Sequence, residues 1–256
     1  MAETAFFIPD GGGFRATELT RGPWDPGEQH AGPPSALLAR AIAQASGIDG
    51  GQVARITMDI LRPVPIATLE VEARVLRPGR RVELLEATLA AGGQPLVRAT
   101  AWVLRQAPFD AAPEPGPPMP AESEPVELPW WEDEVAYHRA FEWRLASGTI
   151  GEPGPACIWT RMAVALVAGE APSPLERMLA MADAASGVSW VLPWERFHFP
   201  NVDYSLHLER PPAGEWMFMD AVTRPGDSGA GQCTAVHGDE RGRAGISTQT
   251  LLIQAR

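Results

Sequence analysis

The sequence predicts an α+β chain of two tandem repeats, each an antiparallel sheet wrapped around one long helix. Three observations carry this prediction. A proline-rich seam divides the 256 residues near their middle, one amphipathic helix lies on each side, and each helix is followed by four strand-like segments. The seam, "APFDAAPEPGPPMPAESEPVELP" at residues 107–129, lacks hydrophobic periodicity and reads as an extended linker unable to pack a core. It separates a first domain, residues 1–106, from a second, residues 130–256. Each is long enough to bury a modest core.

The first helix is "PPSALLARAIAQASG", with Leu37, Leu38, Ala41, Ile42 and Ala45 on one face and a stop at Ser46-Gly47, where glycine suits a left-handed cap. The second is "SPLERMLAMADAASG". Ser173, Pro174 and Glu176 make a capping-box start, and Ser186-Gly187 make the stop. The segments "ARITMDILRPVP", "LEVEARVLRPG", "RVELLEATLA" and "PLVRATAWVLR" follow the first helix. Their counterparts after the second are "NVDYSLHLERPP", "EWMFMDAVTRPG", "GQCTAVHGD" and "AGISTQTLLIQAR". Arg62-Pro63 and Arg210-Pro211 stand 148 residues apart, as do Thr100 and Thr248.

Composition removes several function classes. Acidic residues number 32 against 21 basic ones, a net charge of -11, and a nucleic-acid partner would need a basic footprint instead. Every one of the cations is arginine, so Schiff-base and P-loop lysines are excluded. The opening "MAETAFFIPD" has no signal-peptide character, and no segment approaches the ~20 apolar residues of a membrane span, so the expectation is a cytoplasmic protein. Cys157 and Cys233 are far apart and read as small buried hydrophobes, and His138, His198, His207 and His237 lack metal-ligand spacing. No metal or cofactor is expected.

Strand-like segments before each helix ("FRATELT" and "GPWDPGEQHAG"; "FEWRLASG" and "CIWTRMAVALV") complete the element order of a hotdog domain, here present twice. The strings "QHAGPPSALLARAI", "DILRPVP", "VLRPGRR", "FPNVDYSLHLERPP" and "STQTLL" resemble, in that order, the TesB-like acyl-CoA thioesterases, which are double hotdogs. The resemblance implies hydrolysis of acyl-CoA and a homodimer of double hotdogs. It also implies a water oriented and activated by an Asp from the second helix, a hydroxyl residue on the strand after it and a Gln from the last strand. Asp183 and Gln249 match that pattern in type and place, while Asn201 stands where the family more often has Thr or Ser.

The repeat supplies its own signal. Where the second copy has Asp183, Asn201 and Gln249, the first has Ala43, Val53 and Ala101, the asymmetry expected of one active site per pair of domains. A carboxylate at the edge of an apolar helix face has its pKa raised toward a useful value, and an amide beside it can hold a water. Oxyanion donors are expected at the start of the first helix, from Gly32 or from Ser35 onward because Pro33 and Pro34 cannot donate, with His30 a candidate substrate contact.

Plainer readings stand beside these. By helical periodicity Asp183 lies at the boundary of the apolar stripe, as a solvated acid would. Gln249 fits the wet face of a strand, and His30 fits a hydrogen-bonding turn. Trp190, Trp194 and the tryptophans of "PWWEDE" fit core as well as an acyl pocket. A hydratase or dehydratase on the same fold would want an Asp/His pair on one helix, and a catalytically weak acyl-CoA binding protein would tolerate Asn201. A serine-nucleophile hydrolase is disfavoured because no G-x-S-x-G elbow occurs.

Overall fold

Residues 4–107, 110–121 and 135–256 are described in a computed structural model of the chain. The first repeat runs β1 (Ala5–Asp10), β2 (Gly13–Ala16), α1 (Gly32–Ala45), β3 (Gly51–Ile60), β4 (Thr68–Arg77), β5 (Val82–Ala91) and β6 (Gln94–Arg105). The second runs β7 (Phe141–Gly148), β8 (Ala156–Met162), β9 (Ala165–Val167), α2 (Pro174–Ala182), α3 (Ala185–Val188), β10 (Phe197–His198), β11 (Asn201–Leu208), β12 (Trp216–Pro225), β13 (Ala230–Asp239), β14 (Gly242–Leu252) and β15 (Gln254–Ala255). The 148-residue offset carries the starts of β4, β5 and β6 onto those of β12, β13 and β14. Hydrogen-bond register follows it too. Leu89 faces Val97 and, past a bulge, Ala90 faces Pro95; His237 faces Gly245 and, past the same bulge, Gly238 faces Arg243.

Thirteen strands form one sheet in the order β7-β8-β12-β13-β14-β11-β3-β6-β5-β4-β2-β1-β9. The repeats join edge to edge where β3 pairs antiparallel with β11. Thr57 lies opposite Ser205 there, and their hydroxyls meet at 2.8 Å. These two residues are themselves one repeat apart, so the pseudo-twofold axis passes between them. At the far edge β9 crosses to the first repeat and pairs with β1.

Each sheet half buries one face against a helix. Along β5, Glu83, Leu85, Ala87 and Leu89 point inward, and α1 answers with Ala36, Leu37, Leu38, Ala39 and Ile42. Burying a Leu or Ile in this way stabilises by about 1.5–3 kcal/mol. Glu83 is the polar exception. Its Oε2 accepts from Ser46 Oγ at 2.9 Å and from the Gly47 amide at 3.0 Å, which closes the end of α1. Gly47 and Gly187 do not adopt the left-handed conformation expected of them. A carboxylate from a neighbouring strand replaces the glycine cap in the first repeat, and in the second the helix does not reach Gly187 unbroken.

Residues 110–121 carry no helix or strand. They nevertheless lie on the outer face of the second repeat's sheet, beyond what an extended linker requires. The Arg243 amide donates to Glu114 O at 2.8 Å, and Met119 packs against Trp159, Trp216 and Phe218.

Replacing Glu83 by Ala removes the acceptor for two donors. It should destabilise the fold by about 1–3 kcal/mol, read as a lower urea midpoint; an unchanged midpoint would show that water serves the end of α1 equally well.

Candidate active site

The second helix is well started and deliberately interrupted. Ser173 Oγ accepts from the Glu176 amide while Glu176 Oε2 accepts from the Ser173 amide, with Pro174 in the first turn. The ladder then breaks at Asp183. The Ala184 amide turns back to Met181 O at 2.9 Å, and the helix resumes only at Ala185. Carbonyls near the break find side-chain partners: Tyr137 Oη donates to Ala180 O at 2.7 Å, and Gln249 Nε2 donates to Ala182 O at 3.3 Å and Asp183 O at 3.0 Å. Side chains entering the ladder are a recognised cause of a kink, and buried carbonyls require such partners. Here the kink presents the Asp183 side chain to the start of α1.

The Asp183 carboxylate is 6% exposed and is held from both repeats. Asn201 Nδ2 donates to Oδ1 at 2.7 Å, and His30 Nδ1 lies 3.1 Å from Oδ2. Backbone amides of Ala31 and Gly32, at the positive end of α1, also bond to it. Burial raises its pKa from 3.8 to about 6, against the lowering effect of Asn201 and of the Ala31 and Gly32 amides. Burial takes His30 down to about 3, so the imidazole is neutral and the contact is not an ion pair; the Gly32 amide donates to the same Nδ1 at 3.1 Å. Nδ1 is therefore the acceptor nitrogen of the neutral ring, and the protonated form of Asp183 can donate to it. The ring stacks on Tyr137 at 3.8 Å with 2° between planes. Gly32 is required by packing, because Ala180 O occupies the space a Cβ would take.

Asp183, Asn201, His30 and Ala31 open onto a cavity of about 620 Å³ lined by both repeats. Trp24, Trp143, Trp194, Ile60, Val64 and Val188 give it an apolar wall, while Arg62, Arg256, Glu28 and Glu195 add charge. The pseudo-twofold counterpart is a depression of about 210 Å³ that contains Ala43 and Val53 beside Ser173 and Pro174, and no carboxylate lines it.

Sequence-predicted residues thus fall into three places. Asp183, Asn201 and His30 meet. Gln249, 1% exposed, sits behind the acid and grips its backbone; it does not line the cavity, and its Oε1 has no hydrogen-bond partner among the described residues. Ser35 is turned inward, its amide and hydroxyl both bonded to Ala31 O, so of the expected donors only Gly32 faces the site. Trp194, His138 and His198 line the cavity, but Trp190, whose Nε1 donates to Ile150 O, does not. The whole of "PWWEDE" lies outside the described residues. The Asp/His pair found missing on one helix exists across the repeat boundary. Tyr137 was not foreseen, since nothing in the sequence around it marks it; no group of three His, Cys, Asp or Glu among the described residues could hold a metal.

Two outcomes follow from this geometry. Because the folded pKa of Asp183 is raised, its stabilising contribution is complete below about pH 4 and is lost as pH rises through about 6. Asp183→Asn should therefore gain more in Tm relative to wild type at about pH 8 than at about pH 4; an equal change at both would mean that Asp183 titrates as an ordinary carboxylate. Gln249→Ala, which strands two carbonyls, should lower the unfolding free energy by about 1–3 kcal/mol. A wild-type urea midpoint would sink that assignment.

Known proteins were compared with this arrangement. Residues 20–104 match the family model described as the acyl-CoA thioesterase N-terminal domain, and residues 113–253 match the acyl-CoA thioesterase C-terminal domain. Among solved structures, a hot dog fold protein of unknown function from Alicyclobacillus acidocaldarius superposes with a TM-score of 0.75 at 16% identity, covering 98% of this chain and 96% of that one. The tesB protein of Mycobacterium avium subs paratuberculosis gives 0.68 at 15% identity, covering 94% and 92%. Acyl-CoA thioesterase II TesB2 from Mycobacterium marinum gives 0.67 at 13% identity, covering 93% and 96%. At these identities the structural likenesses establish the double hotdog fold. No sequence among curated proteins matches the chain significantly.

Proposed function

Because this chain belongs to the acyl-CoA thioesterase family and is a thioester hydrolase, we propose that Asp183 is the general base that activates water against an acyl-CoA thioester. The observation that carries the reading is the buried Asp183 carboxylate, bonded by Asn201, in contact with His30 and facing an apolar-walled cavity at the start of α1. Asn201 donates to Oδ1, and Oδ2, which faces neutral His30 at 3.1 Å, takes a proton from a water. The water oxygen attacks the thioester carbonyl carbon, and the oxygen that becomes negative is met by the positive end of α1. Collapse of the tetrahedral intermediate breaks the C–S bond, and the departing thiolate receives the proton held by Asp183. The products are the free acid and CoA.

Each neighbour has a part in this scheme. Neutral His30, stacked on Tyr137 and bonded at Nδ1 by the Gly32 amide, packs against Oδ2 and limits the carboxylate's rotation without neutralising it. Gln249 acts on the acid's backbone, so it is a positioning residue in this scheme and does not hold the water itself. Asn201 does for the carboxylate what a hydroxyl would do, through an amide hydrogen bond.

Thiol release from a panel of short, medium and long acyl-CoAs tests the proposal. Wild type should turn over at least one, and Asp183→Asn should lose roughly 10²-fold or more, as for loss of a general base. The wild-type kcat/KM should rise with pH through about 6, because only the ionised carboxylate accepts the proton. Absence of turnover across the panel, or full activity in Asp183→Asn, would defeat the assignment.

A further inference from the structure

Arg62 and Arg210 stand at equivalent places, each just past the strand that forms the junction between repeats, yet their surroundings are opposite. Arg210 is locked. Its guanidinium makes a two-pronged pair with Asp239 at 2.7 Å and 2.7 Å and donates further to the carbonyls of Pro211, Gly242 and Arg243. Asp239 itself is held by the Ala213 and Arg241 amides. One repeat earlier, Asp239 becomes Ala91 and Ala213 becomes Pro65, which has no amide proton. The β5–β6 and β13–β14 ladders share one register, so Ala91 occupies the position from which Asp239 pins its arginine.

Arg62 consequently has no ion pair or side-chain hydrogen bond among the described residues. It is exposed and lines the same cavity as Asp183. Its loop is also fastened to the segment that delivers His30. Gln29 Nε2 donates to Pro65 O at 2.7 Å, the Gln29 amide donates to Val64 O at 2.7 Å, and the Ile66 amide donates to Gly27 O at 2.8 Å. A planar cation without a partner, on a loop anchored beside the reacting groups, is suited to a phosphate. Glu28 and Glu195 in the same wall would repel one, and Arg256 is the other cation there.

We infer that Arg62 binds the phosphates of the coenzyme A part of the substrate, and that it is free to do so because Ala91 replaces the carboxylate that locks its counterpart. The inference rests on the acyl-CoA reading of the site. In the second repeat the arginine is structural; in the first the same position has been released for recognition.

Arg62→Gln should raise KM for the best acyl-CoA about 10-fold or more with kcat little changed, and leave hydrolysis of the same acyl group on pantetheine, which lacks the phosphates and adenosine, unaffected. Ala91→Asp should raise KM for acyl-CoA in the same direction by recreating the lock, and add nothing in the Arg62→Gln background. Equal effects on the CoA and pantetheine thioesters, or wild-type KM in both variants, would overturn the inference. Calorimetric titration with coenzyme A separates it from the broader proposal. Binding weakened about 10-fold by Arg62→Gln supports the phosphate contact even if no thioester is hydrolysed, whereas hydrolysis with unaltered CoA affinity removes Arg62 and leaves Asp183 standing.

Discussion

The antiparallel pairing of β3 with β11, centred on Thr57 opposite Ser205, sets the two repeats about an axis through a single sheet. With the sheets continuous, the helices lie on the same side and meet where Gly32 of α1 approaches Ala180 of α2. That close approach brings the start of one repeat's helix to the end of the other's. Amides of Ala31 and Gly32 therefore face the Asp183 carboxylate, although more than 140 residues separate them in sequence. Neither repeat alone could assemble the group, since His30 and Gly32 come from the first and Asp183 and Asn201 from the second.

A buried carboxylate is costly unless donors surround it. Asn201 and the amides of Ala31 and Gly32 offset part of that cost, and desolvation still prevails, which leaves a pKa of about 6 rather than an ordinary carboxylate value. Such a group is ionised near neutrality but remains basic enough to take a proton, the compromise general-base chemistry requires. The broken helix belongs to the same arrangement. A continuous α2 would direct its residues by the 3.6-residue period, whereas the interruption held by Tyr137 and Gln249 turns Asp183 inward from the stripe boundary that the helical wheel indicates.

How much of this was legible depends on how local the cause is. Strand positions and register repeat with the 148-residue offset, and the polar substitutions at Asp183 and Asn201 stand out against Ala43 and Val53 because duplication supplies an internal control. The capping box at Ser173 was equally legible, being made of residues three apart. Helix ends determined by distant partners were not. Glu83 closes α1 from another strand, and Gln249 opens α2 from the last long strand, so Gly47 and Gly187 look like caps without serving as such. Ser35 was misread for a related reason: its side chain returns to the helix's own Ala31 carbonyl, which spacing alone does not reveal.

Duplication also explains how the residues around the cavity are divided between the repeats. Two identical repeats about a twofold axis would form two equal clefts, each with a helix start from one copy facing the acid position of the other. Here the cleft containing Ala43 and Val53 has only about a third of the cavity volume of the other and no carboxylate in its wall. The losses are not random. The first repeat keeps the elements that face the surviving cleft, namely the start of α1 and the loop carrying Arg62. The second keeps Asp183 and Asn201 there, and at the opposite end invests Arg210 and Asp239 in a buried pair. A position freed from binding is available for stability, and one freed from a structural pair is available for binding. Under the proposed chemistry the repeats have specialised along that line, one presenting helix-end amides and a free cation, the other presenting the base.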